Sequence, residues 1–264
     1  MRMGRLTTVR NIVIVRDEVE SIQPIKEEPA IFVNPGFLVI GDLHIGAIIS
    51  KDFAFHRTFV ENLIERVKKL RDLVKAHKLI LTGDIKERIG PLKSRVEREM
   101  IELFLREVLK IFDKIFIVKG NHDGRIEEIL LEKEYASKVV IAKSVLIQPR
   151  KSARPIIITH GHMKLDKGLF EKYRKGLIVI SSHMHPAVSI APGIKVKVWA
   201  IFDIEFLKRK YKWIIMPAFS EIIVGSDLRA LPKNEILARS PFPSLQAKIL
   251  NRSFLLLDLT PIMD

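Results

Sequence analysis

The stretch Phe37-Leu38-Val39-Ile40-Gly41-Asp42-Leu43-His44 joins four consecutive apolar residues to a glycine, an aspartate and a histidine. A short apolar run that ends in Gly-Asp is typical of a buried strand followed by a loop. In open α/β sheets, loops at the carboxyl ends of the strands form the ligand site. The stretch therefore predicts a buried strand with a functional loop directly after it.

Four further segments repeat this arrangement of an apolar run followed by Asp, Asn or His. In chain order they are Gly83-Asp84, Gly120-Asn121-His122-Asp123, His160-Gly161-His162 and His183-Met184-His185. Carboxylate, amide oxygen and imidazole together suit divalent cations of hard to borderline character. Any one segment could equally be a turn, a helix cap or a surface pair. All five in this order predict a site for two divalent cations, a pairing that supports in-line displacement at phosphorus.

Composition limits the class of protein. The 264 residues are 47% hydrophobic and 29% charged, which favours a globular chain, and no cysteine is present to form disulfides or thiolate ligands. The net charge of +14 favours an anionic partner such as DNA or RNA. It is equally typical of the lysine- and glutamate-rich surfaces of hyperthermophile proteins. No stretch has the length of a signal-peptide core or a membrane span, so we expect a soluble cytoplasmic protein.

The hydrophobic pattern alternates short apolar runs with long amphipathic helices. We expect helices over 53–76 and 91–112, and a mixed or antiparallel sheet after Val188, where the helical period ends. No linker or repeat divides the chain, so we expect one domain over 1–264, built of two packed sheets flanked by helices. The predicted strands are 31–33, 37–40, 79–81, 115–118, 156–158, 177–180, 195–206, 213–216, 222–224 and 254–257.

The ordered set GD-x-H, GD, GNHD, HGH and H-x-H, from about Phe37 to Pro186, resembles the calcineurin-like metallophosphoesterases. The whole chain, including the turn Pro217-Ala218-Phe219, is similar to an archaeal phosphoesterase family. That family is related to the DNA-repair nuclease SbcD and to bacterial phosphoesterases found with DNA ligases. The resemblance implies an α/β (α+β) four-layer sandwich, with two mixed sheets packed face to face and flanked by helices.

The resemblance also assigns roles to the motif residues. The ligands of the first cation would be Asp42, His44, Asp84 and His185, and those of the second would be Asn121, His160 and His183, with Asp84 bridging. His122 would stabilise or protonate the departing oxygen and be held by Asp123, while His162 would lie outside the ligand set. The cations would activate a hydroxide for attack on phosphorus. We expect Mn²⁺, with Zn²⁺, Fe²⁺ and Ni²⁺ as alternatives.

One position departs from the family pattern. Ser182 stands where the last motif usually opens with glycine, and serine is small enough that we expect the cations to be retained. His56 and His77 lie within or at the end of the first predicted helix, and a solvated helix face accounts for them.

Three functions fit the pattern. A phosphodiesterase or nuclease acting on nucleic acid is favoured by the charge and by the resemblance. A phosphoesterase of nucleotides or other small molecules, and a non-catalytic scaffold that binds a protein, are the alternatives. The first two differ in whether basic side chains cluster at the site. The candidates are Lys86, Arg88, Lys93 and Arg95 after the second motif, and the dense run Lys208, Arg209, Lys210 and Lys212.

Overall fold

The computed structural model describes residues 6–9, 12–17, 21–48, 52–91, 94–129, 137–149, 154–173, 176–243 and 246–263. In chain order the elements are β1 (Leu6–Val9), β2 (Ile12–Asp17), β3 (Ser21–Pro24), β4 (Ile31–Asn34), β5 (Phe37–Ile40), α1 (Phe53–Val74), β6 (Lys78–Leu81), α2 (Arg95–Ile111), β7 (Lys114–Val118), β8 (Val139–Ala142), β9 (Ser144–Pro149), β10 (Ile156–Thr159), α3 (Lys167–Lys172), β11 (Ile178–Ser181), β12 (Pro186–Ala191), β13 (Ile194–Phe206), β14 (Arg209–Ile215), β15 (Ser226–Asp227), α4 (Lys233–Ala238), β16 (Lys248–Leu256) and β17 (Pro261–Ile262).

The small sheet has six strands in the order β3-β4-β5-β6-β7-β8. Strands β5 to β8 pair in parallel, as the alternation of strands and helices predicts, and β3 and β4 add an antiparallel edge. All four residues of β5 are buried. Its continuous apolar sequence follows from burial on both faces of the sheet.

Helices α1 and α2 pack on the outer face of the small sheet through one apolar stripe each. The stripe of α2 includes Met100, Phe104 and Val108, which are almost fully buried. The helix begins at Arg95 and not at Pro91, because the Ser94 side chain caps it by accepting a hydrogen bond from the Glu97 amide.

The large sheet has eleven strands, and its central order is β9-β10-β11-β14-β13. Strands β10, β11 and β14 are parallel neighbours, whereas β13 pairs antiparallel with β14 and β16. Both sheets are thus mixed. The expected strand at 222–224 is wrong: Ile222 and Val224 are 42% and 48% exposed, and the short strand β15 follows them instead.

Three apolar clusters define the layers of the molecule. One lies between α1, α2 and the small sheet, a second lies between the two sheets, and a third covers the outer face of the large sheet, where α3 and α4 pack. The central cluster joins Val39 and Phe116 of the small sheet to Ile158 and Ile180 of the large one. The predicted four-layer sandwich of two mixed sheets between helices is confirmed.

Candidate metal centre

The five motif segments lie in loops that follow β5, β6 and β7 of the small sheet and β10 and β11 of the large sheet. Backbone hydrogen bonds join neighbouring loops, as between the Asp42 amide and the Gly83 carbonyl (3.0 Å). The Ser182 amide likewise donates to the His160 carbonyl (3.1 Å). Because parallel strands end at the same edge, residues far apart in sequence meet at one place.

Two motif glycines occupy positions that have no room for a side chain. A Cβ atom on Gly41 would collide with the Thr82 side chain, and one on Gly120 would collide with Asp84. The absence of a side chain lets the three loops of the small sheet approach within hydrogen-bonding distance of one another.

Several motif residues adopt a backbone conformation that is unusual for residues other than glycine. Their φ angles are positive, between 42° and 69°. Such conformations cost free energy and concentrate at functional sites, where the surrounding structure enforces them. Five of the expected ligands share this conformation, namely Asp42, His44, Asp84, His183 and His185.

The first group of ligand atoms belongs to Asp42, His44, Asp84 and His185, which offer one atom each within 4.8 Å of one another. The Nε2 atoms of His44 and His185 lie 3.4 Å apart, and His185 Nε2 lies 3.3 Å from Asp42 Oδ2. Both carboxylates are buried. This is the set expected for the first cation.

The second group belongs to Asp84, His160 and His183. His160 Nε2 lies 3.2 Å from Asp84 Oδ2 and 3.1 Å from the side-chain oxygen of Asn121. Asp84 is common to both groups, which is the position that a bridging carboxylate requires. The seven expected ligands are therefore gathered into two adjoining sets.

Hydrogen bonds fix which imidazole nitrogen is free to bind a cation. Nδ1 of His160 donates to the Thr82 carbonyl (2.8 Å), and a carbonyl only accepts, so Nε2 is the nitrogen of His160 that can bind a cation. Nδ1 of His44 faces Glu87 Oε2 at 2.6 Å, which likewise leaves Nε2 toward the first group. A carboxylate behind a histidine ligand is a common support in metal sites. Glu87 belongs to none of the five motifs, and the sequence analysis missed it.

The charge balance of the site also fits cations. Burial raises the pKa of Asp42, but the His185 and His160 imidazoles outweigh it and hold that pKa below its ordinary value. Burial also raises the pKa of Asp84, but His160 and His122 outweigh burial and lower that pKa below its ordinary value. Burial lowers the pKa of His160, yet the carboxylates of Asp84 and Asp42 outweigh burial and raise it to about 9. Buried carboxylates that remain ionised need positive charge beside them. The donor set therefore suits two divalent cations.

His122 lies beside the first group: His44, Glu87 and His122 also offer ligand atoms within 4.8 Å of one another, and His122 Nε2 lies 3.9 Å from Asp84 Oδ2. Its Nδ1 donates to the backbone carbonyl of Glu87, so Nε2 faces the site. The role expected for Asp123, to hold His122, stays a prediction. In the structure the Asp123 carboxylate accepts hydrogen bonds from the amides of Gly120 (2.8 Å) and Ile85 (2.9 Å), which ties the second and third loops together.

The remaining motif residues surround the second group. The His162 ring centroid lies 5.1 Å from that of His160, outside the sets of ligand atoms. The Ser182 hydroxyl donates to the Thr82 carbonyl (2.6 Å), so the departure from glycine adds a link between the two sheets. Within the described residues, neither His56 nor His77 belongs to a metal-binding group.

The described basic residues after the second motif differ in their exposure and contacts. Lys86 is fully buried, and its ammonium group donates to the carbonyls of Arg88 and Gly90, so it holds a loop together. Arg95 is exposed and paired with Glu99 at 2.6 Å. Arg88 is exposed, and Lys93 lies outside the described residues.

The dense run at 208–212 lies at the wrong end of the large sheet to reach the site. It begins at the amino end of β14, which runs parallel to β11, whereas the motif loops follow the carboxyl ends. Two lysines that the sequence analysis did not single out lie at the correct end. Lys119 directly follows β7, and Lys143 precedes β9, whose first residue pairs with the last residue of β10.

A sequence model described as calcineurin-like phosphoesterase matches residues 36–187, which is more than half of the chain and includes all five motif segments. The chain belongs to the calcineurin-like phosphoesterase family. None of the curated proteins matches the sequence significantly. Membership makes the protein a hydrolase of phosphoester bonds, in a family that uses pairs of metal ions. The alternative of a non-catalytic scaffold is set aside.

One solved structure shares the fold at low sequence identity, and a second aligns more weakly. The crystal structure of nuclease MPE from Pseudomonas putida aligns with a TM-score of 0.55 and 16% identity, over 92% of this chain and 100% of the nuclease. YfcE, a phosphoesterase from E. coli, aligns with a TM-score of 0.40 and 16% identity, over 86% of this chain and 96% of that one. Within the described residues, no helix has both the length and the apolar character needed to cross a membrane.

Proposed function

We propose that the protein is a phosphodiesterase or nuclease that hydrolyses nucleic acid with the help of two divalent cations. The observation that carries the proposal is the pair of adjoining ligand groups that share the buried carboxylate of Asp84. One cation would be held by Asp42, His44, Asp84 and His185, and the other by Asp84, Asn121, His160 and His183. Oxygen and imidazole donors without thiolate suit Mn²⁺, which we propose as the metal.

When bound, two such cations would supply positive charge to the phosphoryl oxygens and would lower the pKa of the attacking water. The side chains of the protein perform the remaining tasks. Asp42 and Asp84 are fixed by backbone amides, since Asp42 accepts from His183 N (3.1 Å) and Asp84 accepts from His122 N (3.0 Å). The ligands are therefore held in place before a substrate binds.

His122 would protonate the oxygen that departs from phosphorus. Its Nδ1–H is committed to the Glu87 carbonyl, so any second proton on the ring lies on Nε2, which faces the site. A sugar hydroxyl is a poor leaving group, and its departure gains from such a proton. The arrangement therefore suits cleavage of the diester backbone of a nucleic acid.

The charge of the chain supports a polyanionic substrate. The net charge is +14, and Lys119 and Lys143 lie at the end of the sheets that carries the ligand groups. Lysines near a site attract phosphates and release their counterions on binding. The structurally similar Pseudomonas putida protein is named a nuclease, which is the activity that we propose here.

The proposal is tested with metal-free protein supplied separately with Mn²⁺, Zn²⁺, Fe²⁺ and Ni²⁺. The substrates are single-stranded DNA, double-stranded DNA, RNA, cyclic nucleotides and bis-p-nitrophenyl phosphate. We expect cleavage of at least one polymeric substrate, with the highest rate in Mn²⁺. Hydrolysis of the small diesters with no cleavage of any polymer would favour the small-molecule alternative, and no hydrolysis with any metal would contradict the proposal.

A further inference from the structure

A cavity of about 520 Å³ lies between the outer face of the large sheet and α3. Strands β2, β9 and β10 form its floor, and α3 with the loop before it forms a wall. Its volume falls within the roughly 300–1,000 Å³ that small-molecule sites occupy. The apolar part of the lining comprises Ile12, Ile14, Leu146, Leu165, Leu169 and Tyr173.

One end of the cavity adjoins the candidate metal centre. Thr159 and Lys119 line the cavity, and each directly precedes a segment that supplies the second group of ligand atoms. His162 also lines it, and its ring lies 5.1 Å from that of His160. A molecule whose phosphate lies at the ligand groups can therefore extend its organic part into this cavity.

The lysine side chains around the cavity differ in the groups that they contact. Lys164 donates to the Ser240 carbonyl at 2.6 Å, and Lys119 is paired with Glu127 at 2.6 Å. Lys143 forms no ion pair with any described residue. It lines the cavity at the end where β9 meets β10, which is the end nearest the metal centre. An anionic group at that end would meet positive charge.

We propose that this cavity binds the nucleoside group attached to the phosphorus that is attacked, and so makes the enzyme select phosphodiesters that carry a base. The inference rests on the proposed phosphodiesterase function. A base has apolar faces that suit the aliphatic and aromatic lining, and its own phosphate lies where the ligand groups and Lys143 are. A diester with a small alkyl group would leave this lining in contact with water, so the lining would add nothing to its binding.

The test compares two diesters with the same leaving group. Thymidine 5′-(p-nitrophenyl phosphate) and methyl p-nitrophenyl phosphate differ only in the group that the cavity would hold. We expect the wild-type protein with Mn²⁺ to give kcat/KM at least about tenfold higher for the thymidine ester, the size of effect that apolar pocket contacts produce. Free thymidine should inhibit hydrolysis of the methyl ester competitively.

Two variants connect this preference to the cavity. Ser144 is only 3% exposed and lines the cavity, so Ser144→Leu should fill part of it with an aliphatic chain. Met163 also lines it but is 46% exposed, so Met163→Ala should fold normally and remove contact surface. Both should reduce the preference for thymidine and weaken inhibition by thymidine, while kcat/KM for the methyl ester stays within about twofold. Ser253→Leu, at an exposed position of β16, is the matched control for the added leucine.

The outcomes separate this inference from the function on which it rests. Equal kcat/KM for the two esters in the wild-type protein would overturn the proposal that the cavity binds a nucleoside. The proposed phosphodiesterase function would be unaffected. A preference that folded Met163→Ala and Ser144→Leu both retain would also overturn it. Hydrolysis of neither ester with any metal, together with cleavage of nucleic acid, would overturn the nucleoside cavity alone. Hydrolysis of neither ester and of no nucleic acid with any metal would overturn both proposals.

Discussion

The two ends of the large sheet share an unusual backbone conformation, but it occurs in the candidate ligands at one end and in a hairpin turn at the other. At the carboxyl end of β11, His183 and His185 have positive φ angles, and their rings point to a shared site with Asp42 and Asp84. At the amino end of β14, residues 207 and 208 also have positive φ, but they form an ordinary hairpin turn with the Lys208 side chain exposed. In this comparison, positive φ angles coincide with the candidate site only where buried polar side chains accompany them.

The two ends also differ in how their positive charge is arranged. The turn end carries the densest basic run of the sequence, from Lys208 to Lys212, and Lys212 is paired with Asp203 at 3.3 Å. At the motif end, Lys119 and Lys143 are isolated in sequence but adjoin the candidate metal centre. Local charge density is therefore a poor guide to a substrate surface, because the fold decides which lysines reach it.

Asp84→Asn should have the largest effect on the end of the sheets that carries the motif loops. The change removes a negative charge that both ligand groups share, so metal binding should weaken and hydrolysis should fall by roughly 10³-fold or more. Metal content by elemental analysis and kcat/KM for a diester measure the two effects. Asp72→Asn, at an exposed position of α1, should change neither. Near-normal activity with two cations bound would show that Asp84 is not the bridging ligand.

His122→Gln should separate proton transfer from metal binding. General acid catalysis contributes roughly 10²–10⁴-fold when the leaving group is poor. Cleavage of an alkyl or nucleotide ester should therefore fall by about that amount, and cleavage of a p-nitrophenyl ester should fall far less. Both cations should remain bound. Equal losses on the two substrates would assign His122 to binding or electrostatics, and loss of a cation would make it a ligand.

Glu87→Ala should weaken binding of the first cation while leaving the fold intact. The Glu87 carboxylate holds Nδ1 of His44 at 2.6 Å, and loss of such a support typically costs roughly 10–100-fold in metal affinity. Titration calorimetry with Mn²⁺ measures this effect directly, without dependence on turnover. Glu87→Gln keeps a hydrogen-bond acceptor and should recover part of the affinity. Unchanged affinity in Glu87→Ala would mean that other contacts fix the His44 ring, and Glu65→Gln on α1 serves as the exposed control.

The sequence predicted the strands and loops that place the candidate ligands. Buried parallel strands such as β5, β6 and β7 have continuous apolar sequences, and their polar loops follow at fixed positions. The order of the motifs therefore predicts that their loops meet at one edge of the sheets. Helix α3, with six residues, is too short to show a helical period, and it was missed.

The parts of the site that were missed depend on contacts between distant segments. Glu87 follows Asp84 by three residues in a polar loop, and its contact with His44 arises because Ile45 and Lys86 form an isolated bridge between two loops. Lys86 appeared to be a basic candidate, but the fold buries it against the carbonyls of its own loop. Neither outcome is encoded in local pattern or composition, since each needs the neighbouring loop to be in place.

The smallest expected effect is on the salt dependence of oligonucleotide binding, which compares a lysine at each end of the large sheet. In an Asp84→Asn background, which keeps the nucleic acid intact, binding of a single-stranded oligonucleotide should weaken steeply as salt increases. Lys143→Gln should make the slope of log affinity against log salt shallower by about 0.7, the value for one phosphate contact on a single strand. Lys210→Gln, at the opposite end of the sheet, should leave the slope unchanged. A larger effect of Lys210→Gln would mean that nucleic acid crosses the turn end, and a salt-independent affinity would favour a small-molecule substrate.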